Sequence, residues 1–304
     1  MIGLDWGTTR LRAFRIAEDG GLRDARRADR GVLSVAPGGF ADVLREIAGD
    51  WLEAGERRVL IAGMAGSRQG WLDVPYLDCP AEFGAIAAAA QPVAFEGADA
   101  RILPGLATRD EAGVPEVMRG EETQIVGAVD DAARRLVCLP GSHSKWAVVE
   151  AGRIEGFRSY MTGEAFAALG GATILAQTIE AGGPEPDAFA DGVARARQPG
   201  GLLHHLFGVR TRVLRDGVSK SASRAYLSGL LIGHEVGHEI GRAIGRGRTA
   251  DATEVTLIGD PALCGLYRDA ITLSGGAARV HDDVAGDAAC LGLARLGAQI
   301  PWQH

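Results

Sequence analysis

Met1-Ile2-Gly3-Leu4-Asp5-Trp6-Gly7-Thr8-Thr9-Arg10-Leu11-Arg12-Ala13-Phe14 sets the reading of the whole chain. An apolar strand ends in an acid, a glycine and two hydroxyls, and a second alternating run follows, which predicts a β-hairpin with a polar tip. The backbone at Gly7 can bend back and approach a ligand. The amides and hydroxyls of Gly7, Thr8 and Thr9 suit an anion-binding nest, and Asp5 stands where a hydrated magnesium ion would bridge to phosphoryl oxygens. The same pattern also suits an ordinary N-terminal hairpin.

The surrounding composition narrows the choice. A chain of 304 residues with 46% apolar content is long enough for two medium domains with packed cores. A net charge of −7, with no long basic run, argues against a nucleic-acid-binding surface and favours metabolite chemistry. Cys79, Cys138, Cys264 and Cys290 are scattered, so neither a disulfide framework nor a zinc cluster is indicated. With no export signal and no apolar run long enough to span a bilayer, the expectation is a soluble protein of the reducing cytoplasm without membrane partners. Oligomeric state is not readable, a homodimer being one compatible form.

Moving outward from the hairpin, residues 22–30 read as a third, charged strand and residues 40–54 as a helix, giving β-β-β-α. Val59-Leu60-Ile61-Ala62 is a buried strand that delivers the chain to Gly63-Met64-Ala65-Gly66-Ser67-Arg68-Gln69-Gly70-Trp71. That loop can grip a small anion, Arg68 taking a carboxylate bidentately and Trp71 supplying an apolar wall, or it is a solvated glycine-rich turn. Residues 79–97 read as a second helix, residues 101–106 as a strand, and the segment to Val117 as turn-rich. Gly120-Glu121-Glu122 then opens a helix, where acids are stabilised by free amides in any case.

Leu136 to Leu139, the tip Pro140-Gly141-Ser142-His143-Ser144-Lys145-Trp146, a resumed strand and a third strand from Arg153 to Tyr160 repeat the plan of residues 1–30. The chain therefore reads as two similar halves, with a nucleotide between domains. Residues 162–179 are helical, and Lys220 to Arg246 is the longest helix candidate, with Gly229, Gly233, Gly237, Gly241 and Gly245 at every fourth position. Such a stripe implies close approach by another helix or a flat ligand. Glu254 to Ile258 ends in Gly259-Asp260-Pro261 before a helix through Leu263, again a phosphate- or ribose-facing pattern, and residues 287–296 form a closing helix. His234-Glu235-Val236-Gly237-His238 satisfies the H-E-x-x-H pattern of zinc hydrolases, but Ile244 stands where the longer form of that motif needs a third histidine, which disfavours zinc.

The ordered blocks Asp5-Trp6-Gly7-Thr8-Thr9, Gly63 to Trp71, Arg119-Gly120-Glu121-Glu122-Thr123-Gln124, Leu139 to Trp146, Met161-Thr162-Gly163-Glu164 and Leu227 to Gly233 resemble the sugar kinase, actin and heat-shock chaperone ATPase superfamily. Within it they are most similar to the 2-dehydro-3-deoxygalactonokinases. The resemblance implies an α/β chain of two ribonuclease H-like domains, residues 1–128 with the sugar-acid site and 129–304 with the nucleotide site, and a nucleotide cleft between them. It implies transfer of the γ-phosphoryl group of ATP to the 6-hydroxyl of 2-dehydro-3-deoxy-D-galactonate, in galactonate catabolism.

By the same resemblance Asp5 is the magnesium-side residue, and Glu121, with Glu122 as the fallback, is the base. Gly7, Thr8, Thr9, Gly141, Ser142, His143, Ser144 and Lys145 hold phosphates, Ser228, Gly229, Gly259 and Leu263 flank adenine and ribose, and Ser67, Arg68 and Trp71 grip the substrate. A glutamate replaces the aspartate of the related glycerol and xylulose kinases, which leaves the base open between two adjacent residues. Competing readings are a kinase for another sugar acid, such as 2-dehydro-3-deoxygluconate, and an actin- or chaperone-like ATPase with no metabolite acceptor.

Overall fold

In the computed structural model, which describes residues 1–129, 134–245, 254–281 and 287–302, strand β1 (Ile2–Trp6) is buried along almost its whole length. It pairs antiparallel with β2 (Leu11–Ile16), which pairs with the exposed, charged β3 (Leu22–Ala28). Helix α1 (Phe40–Glu53) follows, and β4 (Arg58–Gly63) enters parallel to β1, with Asp5 opposite Ala62 and Trp6 opposite Gly63. Apolar side chains at helical spacing put Phe40, Val43, Leu44, Ile47 and Trp51 of α1 into a core with Ile2, Leu4, Trp6 and Ile61.

The expected helix over residues 79–97 is mostly absent. Short β5 (Leu77–Asp78) and β6 (Ala81–Glu82) precede a six-residue α2 (Phe83–Ala88), and β7 (Gln91–Val93) follows. Pro92 bars the helix from running on to residue 97: the ring removes an amide and disfavours helical geometry in Gln91, which opens β7 instead. With β8 (Asp99–Ile102) the first sheet is complete in the order β3-β2-β1-β4-β8-β7. The turn-rich segment is a hairpin, β9 (Leu106–Arg109) against β10 (Pro115–Met118), closed by Asp110, whose Oδ1 accepts the amides of Ala112 and Val114.

Helix α3 (Glu121–Ala128) comes next, and then β11 (Arg135–Leu139), β12 (Ser144–Glu150), β13 (Arg153–Tyr160) and α4 (Thr162–Ala172) repeat the β-β-β-α order. Helices α5 (Pro186–Ala196), α6 (Gly201–Asp216) and α7 (Lys220–Gly245) follow. Strand β14 (Glu254–Leu257) lies parallel to β11 and to β15 (Ala277–Val280), with α8 (Pro261–Leu273) joining the last two. Arg246, where the sequence places the end of the long helix, lies outside the described residues.

The chain forms two compact units, Met1–Arg134 with Ala147–Arg158 and Asp282–His304, and Arg135–Trp146 with Ser159–His281. The closing helix α9 (Ala288–Gly297) belongs to the first of them. Gly229 and Gly233 of the α7 glycine stripe meet another helix, whereas nothing lies within 4 Å of the Cβ positions of Gly237 and Gly241. A Cβ on Gly229 would stand 2.0 Å from the Phe189 carbonyl oxygen, and one on Gly192 of α5 2.3 Å from that of Tyr226, so α5 and α7 touch backbone to backbone. None of the four cysteines is in a disulfide, and no helix among the described residues is long and apolar enough to cross a membrane.

Candidate functional site

Parallel pairing of β1 with β4 brings the ends of two strands side by side, and the start of α3 joins them. A Cβ on Gly120, whose φ of 108° suits glycine alone, would stand 3.2 Å from Gly63 Cα and 4.0 Å from Asp5 Oδ1. Three separate stretches, Asp5-Trp6-Gly7, Gly63 to Gly66 and Gly120-Glu121, thus converge. Oδ2 of Asp5 accepts from Arg12 Nε at 3.0 Å, and Arg12 reaches on to Asp287 Oδ2 at 2.6 Å. Burial pushes the Asp5 carboxyl up, Arg12 opposes that, and the nearby Asp287 and Glu121 charges add to the rise. Oδ1 makes no hydrogen bond among the described residues.

At the hairpin tip the Gly7 amide closes the turn onto the Arg10 carbonyl at 2.9 Å, leaving exposed Thr8 and Thr9 as the tip's donors. The glycine that this tip requires is Gly31: a Cβ there would stand 2.3 Å from the Thr8 carbonyl oxygen. Val32 and Leu33 donate to the carbonyls of Gly7 and Thr8 and hold the tip from below.

The two adjacent glutamates take different positions. Glu121 Oε2 accepts the Arg119 amide at 2.9 Å, and the side chain is half-buried. Glu122 is fully buried and folds back on the Gly120 amide, at 2.7 and 2.9 Å, with the Thr123 hydroxyl at 3.2 Å. Burial, with the Glu121 charge beside it, pushes the Glu122 carboxyl up to about 8. A carboxyl raised on folding contributes stability that is whole below the unfolded value of 4.5 and is lost as pH rises through about 8. The stability of Glu122→Gln relative to wild type should therefore improve between pH 5 and pH 9, as read by denaturant unfolding; a pH-independent difference would mean that Glu122 is charged throughout.

In the Gly63 to Trp71 loop, Ser67 Oγ donates to the Met64 carbonyl at 2.7 Å. Arg68 is 91% exposed, with Asp73 at 3.7 Å. The Trp71 ring lies within an aromatic cluster, stacked on Phe40 at 6.0 Å and edge-on to Trp6 and Phe95 at 6.5 and 6.2 Å.

The second unit presents the other tip. Gly163 presses on it, since a Cβ there would stand 2.4 Å from the Gly141 carbonyl oxygen, and the Glu164 amide donates to the Ser142 carbonyl at 3.0 Å. The start of α4 is thereby seated on the loop, and His143 pairs with Glu164. Ser142 and His143 are exposed, whereas Ser144 and Lys145 are buried, Ser144 against the Tyr267 hydroxyl at 2.8 Å and Lys145 Nζ on the His143 carbonyl at 2.9 Å.

Beside this tip lies a cavity of about 770 Å³, a size suited to a small molecule. Gly141, Ser228 and Leu263 all line it, so three segments far apart in the chain meet around one cavity. Gly229 and Gly259 stand outside the lining, Gly229 against α5 and Gly259, with φ 139°, at the end of β14. Thr162, Phe166, Arg224 and the turn Gly182-Gly183-Pro184 also line the cavity. The sequence marks that turn only as a helix stop and offers no signal for Arg224.

The H-E-x-x-H residues are each engaged elsewhere. Glu235 is buried and accepts from Trp146 Nε1 at 2.7 Å, from the Tyr267 hydroxyl at 2.7 Å and from the Thr162 hydroxyl. His234 pairs with His205 at 3.2 Å, and His238 with the Tyr160 hydroxyl at 2.7 Å.

A repeated β-β-β-α plan with a polar tip in each copy defines the actin-like ATPase fold shared by sugar kinases. A Porphyromonas gingivalis protein assigned as an N-acetylglucosamine kinase has that fold, matching with a TM-score of 0.53 at 12% identity over 98% of both chains. The chain belongs to the 2-keto-3-deoxy-galactonokinase family, which it matches over residues 5–296. It is 39% identical to a Rhizobium meliloti (strain 1021) protein named probable 2-dehydro-3-deoxygalactonokinase, over 90% of this chain and 89% of that one. It is 35% identical to the 2-dehydro-3-deoxygalactonokinase of Escherichia coli (strain K12), over 76% and 77%. The crystal structure of a Sinorhizobium meliloti protein assigned that same activity matches with a TM-score of 0.85 at 38% identity, over 97% of each chain.

Proposed function

We propose that this protein transfers the γ-phosphoryl group of ATP to the 6-hydroxyl of 2-dehydro-3-deoxy-D-galactonate, a step of galactonate catabolism in the cytoplasm. Family membership supports the reaction, and the convergence of Asp5, Gly63 and Gly120-Glu121 is the observation that carries the assignment of residues. The hydroxyl oxygen bonds to the γ-phosphorus, the bond from that phosphorus to the bridging β–γ oxygen breaks, and ADP leaves. Glu121, half-buried and close enough to Asp5 to raise its carboxyl, takes the hydroxyl proton. Glu122 is committed to the Gly120 amide and pins the helix start.

Asp5 suits a hydrated magnesium ion, because Oδ1 is open while Arg12 holds Oδ2, and magnesium keeps most of its waters and takes only one or two carboxylates. When bound with ATP, the ion neutralises phosphate charge. Thr8 and Thr9 on one tip and Gly141, Ser142 and His143 on the other offer phosphate donors, while Ser144 and Lys145 hold the second tip in shape from inside. Ser228 and Leu263 flank the adenosine. Ser67 and Arg68 contact the sugar acid, and Trp71 anchors their loop in the core.

The test is coupled ADP release against a panel of 2-keto-3-deoxy sugar acids. Turnover should require a sugar acid and favour the galactonate epimer. Release that ignores every acid in the panel would identify an ATPase without a metabolite acceptor, and preference for the gluconate epimer would reassign the substrate.

A further inference from the structure

Arg119 stands immediately before Gly120 and two residues from Glu121, yet its side chain turns into the protein: the residue is only 8% exposed. Nη2 donates to the Val74 carbonyl at 2.7 Å, and the guanidinium lies over the Tyr76 ring at 4.3 Å. Nε and Nη1 are buried and have no hydrogen-bond partner among the described residues, and no carboxylate pairs with the group there. A guanidinium has five N–H donors and does not lose its charge in proteins. Leaving such a charge buried without an anion is costly, and a chain gains nothing from keeping it unless an anion completes the site.

We infer that Arg119 is the residue that binds the carboxylate of the sugar acid and so selects acids over neutral sugars. This rests on the sugar-acid kinase reading above and deepens it. One Nη2 hydrogen goes to Val74, so either edge of the planar fork keeps donors for a carboxylate, which a lysine would meet only as a point charge. The roof over the group is thin. Gly66 lies against Nη1, where a Cβ would stand 2.7 Å away, and the chain runs directly from Gly66 into Ser67 and Arg68. Tyr76, the other cover, is 43% exposed. A shift of the segment from Gly66 to Tyr76 on substrate entry opens Nε and Nη1 to the carboxylate. Arg68 is the outer contact: an arginine so exposed is already well solvated, and a carboxylate gains little by joining it.

The experiment compares wild type, Arg119→Lys and Arg119→Ala on 2-dehydro-3-deoxygalactonate and on the matching neutral 3-deoxy sugar, with thermal melting and nucleotide affinity measured on each. Losing a charge-assisted contact should raise the KM for the acid roughly 10- to 100-fold. The wild-type preference for acid over neutral sugar should collapse, nucleotide affinity should hold, and added guanidinium should partly restore the Ala variant. If Arg119→Ala fails to fold, Arg119→Lys carries the same comparison, and hydrogen exchange of residues 64–76 in wild type should respond to the acid and not to the neutral sugar. Unchanged acid preference in a folded variant, or exchange indifferent to the carboxylate, overturns the role of Arg119 alone. If wild type phosphorylates no sugar acid at all, the underlying functional reading fails instead.

Discussion

Replacing Glu121 by Gln is expected to lower phosphoryl transfer by about 10²- to 10⁴-fold, the usual contribution of a positioned general base, with nucleotide affinity nearly unchanged. Gln keeps the volume and can still accept the Arg119 amide, so the α3 start should survive; what it loses is the capacity to take a proton. Single-turnover rates with saturating ATP and sugar acid would read the chemical step directly. Glu122→Gln is the matched control. Its carboxyl, raised to about 8, is largely neutral near pH 7 already, and it is bonded to Gly120, so the substitution should shift stability with pH far more than it shifts rate. The reverse pattern, a small loss at 121 and a large one at 122, would move the base by one residue.

The second large effect is structural. Gly292→Ala on α9 should destabilise the protein by roughly 1–3 kcal/mol or more, because the added Cβ would stand 1.8 Å from the Thr123 carbonyl oxygen, where backbone rather than a flexible side chain must yield. Gly127 makes the reciprocal contact, its Cβ position lying 1.9 Å from the Ala288 carbonyl oxygen. Each kcal/mol corresponds to about 2–4 °C in melting temperature for a domain of this size. Since Thr123 lies on the same helix as Glu121, activity should fall together with stability. Gly237→Ala on α7 is the contrast: nothing lies within 4 Å of its Cβ position, and removing a helix-interior glycine there should raise stability by up to about 1 kcal/mol. Equal melting temperatures for Gly292→Ala and wild type would show that α9 can move aside without loss.

Much of the fold was legible before any coordinates. The hairpin at Asp5 to Thr9, the buried strand at Val59 to Ala62, the second β-β-β-α run and the long α7 all follow from periodicity and turn residues, because local backbone preference and burial agree there. Residues 79–97 misled because an alanine-rich stretch has high helix propensity that Pro80 and Pro92 confine to six residues. The hairpin of β9 and β10 was hidden because its strands are four residues long and gain their stability from each other.

The candidate site divides in the same way. Asp5 and the two tips stand out by residue type and order, whereas Glu121 is singled out, with Glu122 beside it, only by the family resemblance. Trp71 and Arg119 do not declare their surroundings, since an indole suits a core as well as a binding wall and an arginine is usually exposed.

By itself, then, the sequence determined the β-β-β-α runs at residues 1–54 and 136–172, the long α7, the polar tips and the family to which the chain belongs. The tertiary structure alone decided that Gly120 sits against Gly63 and beside Asp5, that Gly31 supports the first tip, that α9 returns to the N-terminal unit, and that Arg119 is buried while Arg68 is in water. The physical reason is one of range. Propensity and periodicity act over a turn or a strand, whereas these contacts depend on strand register and on backbone approach between segments far apart in the chain, which local pattern does not encode. Asp5, read at first from a hairpin of fourteen residues, owes its neighbours beyond Arg12 to three other parts of the chain, the end of β4, the Gly120-Glu121 helix start and Asp287.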